Sequence, residues 1–199
     1  RPERTVDMVG VAARVVGELP KRVAAMLDDP SDVKLVFGAI RAGDAGNVIP
    51  STCELKASIR TPSLGVWEAI SGHFERALCD VLAESGATYE LDYVHGTPPV
   101  VNDSAVTEIV RDAAGREFGL EAIVEAEQSW GGDDFAWYTR ELPGSYVRLG
   151  VHDPASAAER HDLHVGHFDV DERAIALGVR LMVAAAEQYF TDVSARTDD

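Results

Sequence analysis

The sequence predicts an α/β (α+β) chain built in two parts, and three observations carry that reading. Apolar residues recur at helical spacing in long stretches and alternate in shorter ones between them. The tetrapeptide Gly96-Thr97-Pro98-Pro99 is the clearest break in the chain. The 199 residues are 46% hydrophobic and 26% charged, a composition that supports a real core without staples.

Residues 5–27 read as a helix, since Val6, Val9, Ala13, Val16 and Leu19 recur at helical spacing. Pro20 is expected to kink or split it, because proline lacks a backbone donor and clashes with the previous turn. Asp28-Asp29-Pro30 ends it. Residues 33–40 form a strand on the alternation of Val33, Leu35 and Phe37 with Lys34 and Val36. A second strand over 51–61 carries Cys53, Leu55, Ala57 and Ile59 on one face, with Glu54 and Lys56 on a face that meets water. Residues 64–84 form an amphipathic helix with Trp67, Ile70, Phe74, Ala77, Leu78, Val81 and Leu82 on its stripe, and Gly86 ends it. A third strand is expected over 88–94 from Tyr89, Leu91 and Tyr93. Helix–strand–strand–helix–strand looks like a ferredoxin-like sandwich whose first strand is missing.

Beyond the break, Asn102-Asp103 should cap a helix reaching about Phe118, and a strand is expected over 122–126. The loop Ser129-Trp130-Gly131-Gly132-Asp133-Asp134 leads into a short helix with Phe135, Trp137 and Tyr138, with Asp134 the favoured cap. Pro143-Gly144 turns into a strand over 145–151. The last helix, about 171–190, is apolar over most of its circumference. Two strands are too few for an independent sheet, so more strands are expected from residues outside this chain. The chain opens Arg1-Pro2-Glu3-Arg4 without a methionine, and the expectation is a piece of a longer protein.

The charge balance removes several classes of function. With 18 basic and 34 acidic residues the net charge is −16, and no basic stripe exists to neutralise phosphates or an anionic membrane. No apolar run reaches a membrane-spanning length and no signal-peptide pattern opens the chain. Cys53 and Cys79 match no zinc spacing and make no disulfide framework, so a reduced, cytoplasmic setting is the expectation.

The chemistry gathers around Leu163-His164-Val165-Gly166-His167-Phe168-Asp169-Val170-Asp171-Glu172. Asp169 stands where a cap belongs, with Glu172 three residues on, the spacing of a capping box. A histidine just before a capped helix is rigidly mounted, as metal ligands must be. On spacing alone, His164 and His167 read equally well as loop residues.

Further motifs stand in order: Gly46-Asn47-Val48-Ile49-Pro50, then Arg60 in Ile59-Arg60-Thr61, Pro98-Pro99-Val100-Val101-Asn102-Asp103, Gly131-Gly132-Asp133-Asp134-Phe135, and Leu163-His164 with the stretch after it. Together they resemble the hippurate hydrolase and auxin-conjugate hydrolase branch of the aminoacylase-like metallopeptidases. The resemblance covers nearly the whole chain, from Arg1 to about Phe190.

That resemblance implies a two-metal catalytic domain interrupted by a smaller lid domain that also makes the dimer. Residues 1–96 would be the incomplete lid/dimerisation domain, and 97–199 the C-terminal part of a zinc-peptidase-like α/β catalytic domain. The general base and most metal ligands would precede Arg1, so no catalytic residue is expected in this chain. His164 would be the last metal ligand, for zinc, manganese or a similar divalent ion. Arg60 would grip the free carboxylate of an N-acyl amino acid or dipeptide, and Asn47 would also bind substrate, although asparagine after glycine is equally ordinary turn chemistry. Gly131 and Gly132 would line the substrate. Asp133 departs from the usual glutamate, and Glu3 from the usual histidine. His73, His95, His152, His161 and His167 read as surface or loop residues. The implied reaction is metal-dependent amide hydrolysis, in a homodimer formed through the lid around residues 5–40. The chain alone is expected to be inactive, with metal absent or weakly bound. The alternative is a non-catalytic ferredoxin-like dimerisation or small-molecule-binding module.

Overall fold

The computed structural model describes residues 4–153, 155, 156, 159, 161 and 163–197, with side chains described as far as residue 192. They form two compact units: Arg1–Val100 with Ser129–Trp137, and Val101–Gln128 with Tyr138–Asp199.

In the first unit, α1 (Met8–Ala24) begins where the Asp7 carboxylate accepts the Gly10 amide at 3.0 Å. Pro20 does not split this helix. Leu19 and Val23, both fully buried, anchor it on either side of the proline, and that burial outweighs one lost backbone bond. A 3-10 turn, Pro30–Asp32, leads into β1 (Lys34–Arg41), which pairs antiparallel with β2 (Glu54–Arg60). The register runs from Lys34 opposite Arg60 to Arg41 opposite Glu54, with a bulge at Gly38 between Phe37 and Ala39. Leu35, Phe37, Leu55 and Ile59 turn to the core. α2 (Leu64–Leu82) follows Ser63 and buries Ile70, Phe74, Ala77, Leu78, Val81 and Leu82. Two helices and one face of a two-stranded sheet thus enclose a single core.

The strand expected over 88–94 forms no ladder among the described residues. Alternation marks faces, and a strand also needs a partner. Tyr93 packs on Phe74 with ring centroids 6.1 Å apart, while the Tyr89 hydroxyl and Cys79 Sγ share a hydrogen bond of 3.1 Å. The ferredoxin-like arrangement is therefore not completed among the described residues.

In the second unit, Asp103 caps α3 (Ser104–Phe118), accepting the Val106 amide at 2.9 Å. Asn102 does something else. Its amide group donates to the Tyr146 carbonyl at 2.9 Å and accepts the Tyr146 amide at 2.8 Å, pairing with backbone as a neighbouring strand would. The strand expected over 145–151 is held this way and forms no ladder. A 3-10 turn, Leu120–Ala122, opens the stretch expected as the 122–126 strand. α4 (Phe135–Glu141) is short, and the division between the units falls within it, after Trp137. α5 (Arg173–Thr197) packs on α3, with Arg180 donating to Glu117 at 2.6 Å and lying over the Phe118 ring. The opposite stripe of α5 is open: Ile175, Val179, Met182, Val183 and Phe190 are 53–70% exposed. No helix among the described residues is long and apolar enough to cross a membrane.

Candidate functional site

Arg60 is the last residue of β2, and its cross-strand partner is Lys34, the first of β1. Leu55 and Ile59 face the core, so Arg60 projects from the open face. The loop before α4 comes to the same place. A Cβ added to Gly132 would stand 2.6 Å from Arg60 Nη1, so a larger residue there would push the end of the Arg60 side chain aside. The Gly131 amide donates to Ser129 Oγ at 3.1 Å and fixes the turn. Lys34 Nζ lies 4.2 Å from the centroid of the Trp130 ring. The glycine-rich loop therefore meets two cations.

Those cations differ from the others on the sheet. Arg41 and Lys56 both pair with Glu54, at 3.3 and 3.2 Å. The Lys56 hydrogen bond and charge, with Arg41 adding to them, hold the Glu54 carboxyl below its usual range. Lys34 and Arg60 have no carboxylate partner among the described residues. A planar guanidinium without a partner, beside a close-packed backbone loop, is suited to bidentate capture of a carboxylate.

Asp133, not Asp134, caps α4: its carboxylate accepts the Phe135 amide at 2.8 Å. The Asp134 carbonyl instead takes the Trp137 amide at 3.1 Å. Asn47 lies in an exposed turn, where the Val48 amide donates to the Ala45 carbonyl at 3.2 Å. Its side chain makes no hydrogen bond among the described residues. His95, expected as a plain surface residue, stacks on Trp67 with centroids 3.8 Å apart and has Nε2 3.0 Å from the Trp67 carbonyl oxygen. Trp137 meets the same indole edge-on. No spacing in the sequence signals a pair 28 residues apart.

The histidine loop belongs to the second unit, and its two ends are tied together. The Asp171 amide donates to the Val151 carbonyl at 2.8 Å, and Arg173 bridges Asp171 and Asp153. Asp171 also accepts the Arg173 amide at 3.0 Å. The helix entry is therefore capped at Asp171, two residues beyond the expected Asp169, whose carboxylate takes only the adjacent Val170 amide. Asp171 wins because its carboxylate serves an amide and a guanidinium at once. The Arg173 side-chain hydrogen bond, helped by the backbone bond, keeps the Asp171 carboxyl below its usual value.

Within this loop His164 is exposed and sits at φ 72, the only non-glycine in the left-handed region among the described residues. That conformation costs a β-carbon-bearing residue about 1–2 kcal/mol. The rings of His161 and His167 meet edge-on, 4.2 Å apart. No group of three or more His, Cys, Asp or Glu that could hold a metal exists among the described residues. His164 can donate one nitrogen, and a metal centre needs about three protein ligands. The residues described here do not make a metal site by themselves.

A family model described as peptidase family M20/M25/M40 matches residues 4–188. The chain is 38% identical over 184 residues to a putative glutamate–cysteine ligase 2-3 of Rhodococcus jostii (strain RHA1), a match covering 92% of this chain and 23% of that protein. It is 28% identical over 193 residues to the N-acetylcysteine deacetylase of Bacillus subtilis (strain 168), covering 97% of this chain and 47% of that one. Among solved structures, the YXEP protein of Bacillus subtilis, described as a dinuclear metal-binding peptidase of the M20 family, superposes with a TM-score of 0.73 at 26% identity. That superposition covers 91% of this chain and 46% of that one. The chain thus spans about half the length of the deacetylase and the solved peptidase, and less of the ligase. With the model running from residue 4 to residue 188, the chain belongs to peptidase family M20/M25/M40.

Proposed function

We propose that the complete protein hydrolyses the amide bond of N-acyl amino acids with the help of divalent metal, and that this chain supplies the grip on the substrate carboxylate and one metal ligand. The carrying observation is the convergence of Arg60 with Gly132: a guanidinium with no carboxylate partner among the described residues lies against the glycine loop. Arg60 would hold the carboxylate and so set where the amide lies. His164 would give one imidazole nitrogen to the metal, which when bound polarises the scissile carbonyl and activates water. The strained backbone of His164 favours a functional reading, because strain persists where the surroundings hold it in place.

The catalytic base falls outside this reading of the chain, which alone would turn over nothing. The open stripe of α5 supports that view, since it offers a surface for further elements of the same fold. Val36 and Ile40, exposed on β1, would serve a homodimer formed through the first unit. Small dipeptides remain within the same chemistry. A non-catalytic module is the rival, and it leaves the Arg60–Gly132 approach without a purpose.

In the complete, metal-loaded protein, His164→Ala should abolish hydrolysis of N-acetyl amino acids and lower metal content. Arg60→Gln should raise KM about tenfold or more, the loss of one charge-assisted contact. Turnover and metal content both unchanged in His164→Ala would overturn the ligand assignment. An unchanged KM in Arg60→Gln would overturn the carboxylate grip.

A further inference from the structure

We propose that Lys34 is a second, separate cationic arm of the Arg60 site, and that the site prefers N-acyl derivatives of acidic amino acids. This rests on the carboxylate reading of Arg60 given above and adds a substrate class to it.

The register places Lys34 directly opposite Arg60, so both side chains leave the same face of the sheet. Like charges directly opposite each other destabilise a strand pair. Elsewhere on this sheet the chain avoids that conflict, setting Arg41 opposite Glu54 and placing Lys56 against the same carboxylate. At the Lys34–Arg60 end no acidic residue intervenes among the described residues. The repulsion is therefore left in place where the glycine loop arrives, and a bound anion is what would relieve it.

The two cations also have different supports. Arg60 Nη1 lies against the Gly132 backbone, while Lys34 Nζ sits over the Trp130 ring, the face of which attracts a cation. Each has its own support, so they make two points of contact. A fork and a point charge at neighbouring strand positions suit the α-carboxylate and the side-chain carboxylate of one aspartate- or glutamate-sized residue. The chain as a whole carries a net charge of −16 and would repel a dianion. Screening confines that repulsion to about 8–10 Å at moderate salt, so unpaired local cations decide whether the ligand stays.

The test is a titration of the isotopically labelled 199-residue chain, followed by amide NMR shifts at constant ionic strength. The probes are N-acetyl-L-glutamate and its neutral-side-chain counterpart N-acetyl-L-glutamine. The expected result is shifts at Arg60 and 129–133 with both ligands, a shift at Lys34 with the glutamate, and about tenfold tighter binding of the glutamate. Lys34→Gln should remove that preference and leave the glutamine derivative's affinity unchanged. Arg60→Gln should weaken both ligands. Both positions are exposed strand ends, so the substitutions are compatible with folding. Equal affinities in the unsubstituted chain, or an unaltered preference in Lys34→Gln, would overturn the second arm and leave the carboxylate site standing. Equal weakening of both ligands by Lys34→Gln would mean that both cations share one carboxylate, and would also overturn it. Absence of shifts from either ligand would overturn the site itself.

Discussion

The two compact units solve the problem of apolar surface differently. The first closes on itself: Leu19, Val23 and Ile70 have almost no exposure, and two helices cover one face of the hairpin. In the second, the buried apolar residues among those described are Ala113 and Ala174, the smallest available. On α5, Ile175, Val179, Met182, Val183 and Phe190 face outward. The first unit therefore carries its own stability, while the second has a surface still without a counterpart among the described residues. Burial, rather than helix content, separates them, since the longest helix of the chain lies in the less buried unit.

That contrast is open to direct attack. Leu19→Ala should cost about 3 kcal/mol in urea unfolding, because it empties a fully buried position. Amides of α2 should then be the slowest to exchange with solvent in the parent chain and should lose most of that protection. A smaller effect is expected at the start of α5. Asp171 is held in its charged form by Arg173, so its folded pKa lies below the unfolded value of about 3.9. Its stabilisation is present above that value and is lost as pH falls through the folded pKa. The melting temperature of Asp171→Asn should accordingly lie a little below that of the parent at pH 7. The gap should close in acid below about pH 4, and a gap that persisted there would remove the charge from the explanation. Smaller again, Val179→Gln with Met182→Gln should change the stability of this chain by about 0.5 kcal/mol or less, since both side chains are already exposed. A loss above 2 kcal/mol would mean that the stripe is covered in solution.

Much of the first unit was legible because its signals are local. The apolar stripe of α2 is buried as its spacing demands, and the alternation in both strands faces the core; in the second unit, Asp103 caps α3 as its place before the helix indicates. Three expected strands did not form ladders, over 88–94, 122–126 and 145–151. Period-two alternation says which side chains share a face and nothing about which chain lies alongside. The caps fall at Asp171 rather than Asp169 and at Asp133 rather than Asp134: each helix entry offers two aspartates, and only the fold sets which carboxylate reaches a free amide. Arg60 and Gly132 were each named by motif, but their approach exists only in the fold. Lys34 carried no motif and became visible through strand register. Nothing in the letters around His164 announces a left-handed backbone, a conformation usually left to glycine.

The bulge at Gly38 also acts as an expansion joint. Strand side chains alternate, so Lys34 and Arg41, an odd number of positions apart, would ordinarily sit on opposite faces. The extra residue resets the phase, and Arg41 arrives opposite Glu54 on the same side as Lys34 opposite Arg60. Without it, the residues past Phe37 would present their opposite faces, and the Arg41–Glu54 pair would leave the open side of the sheet.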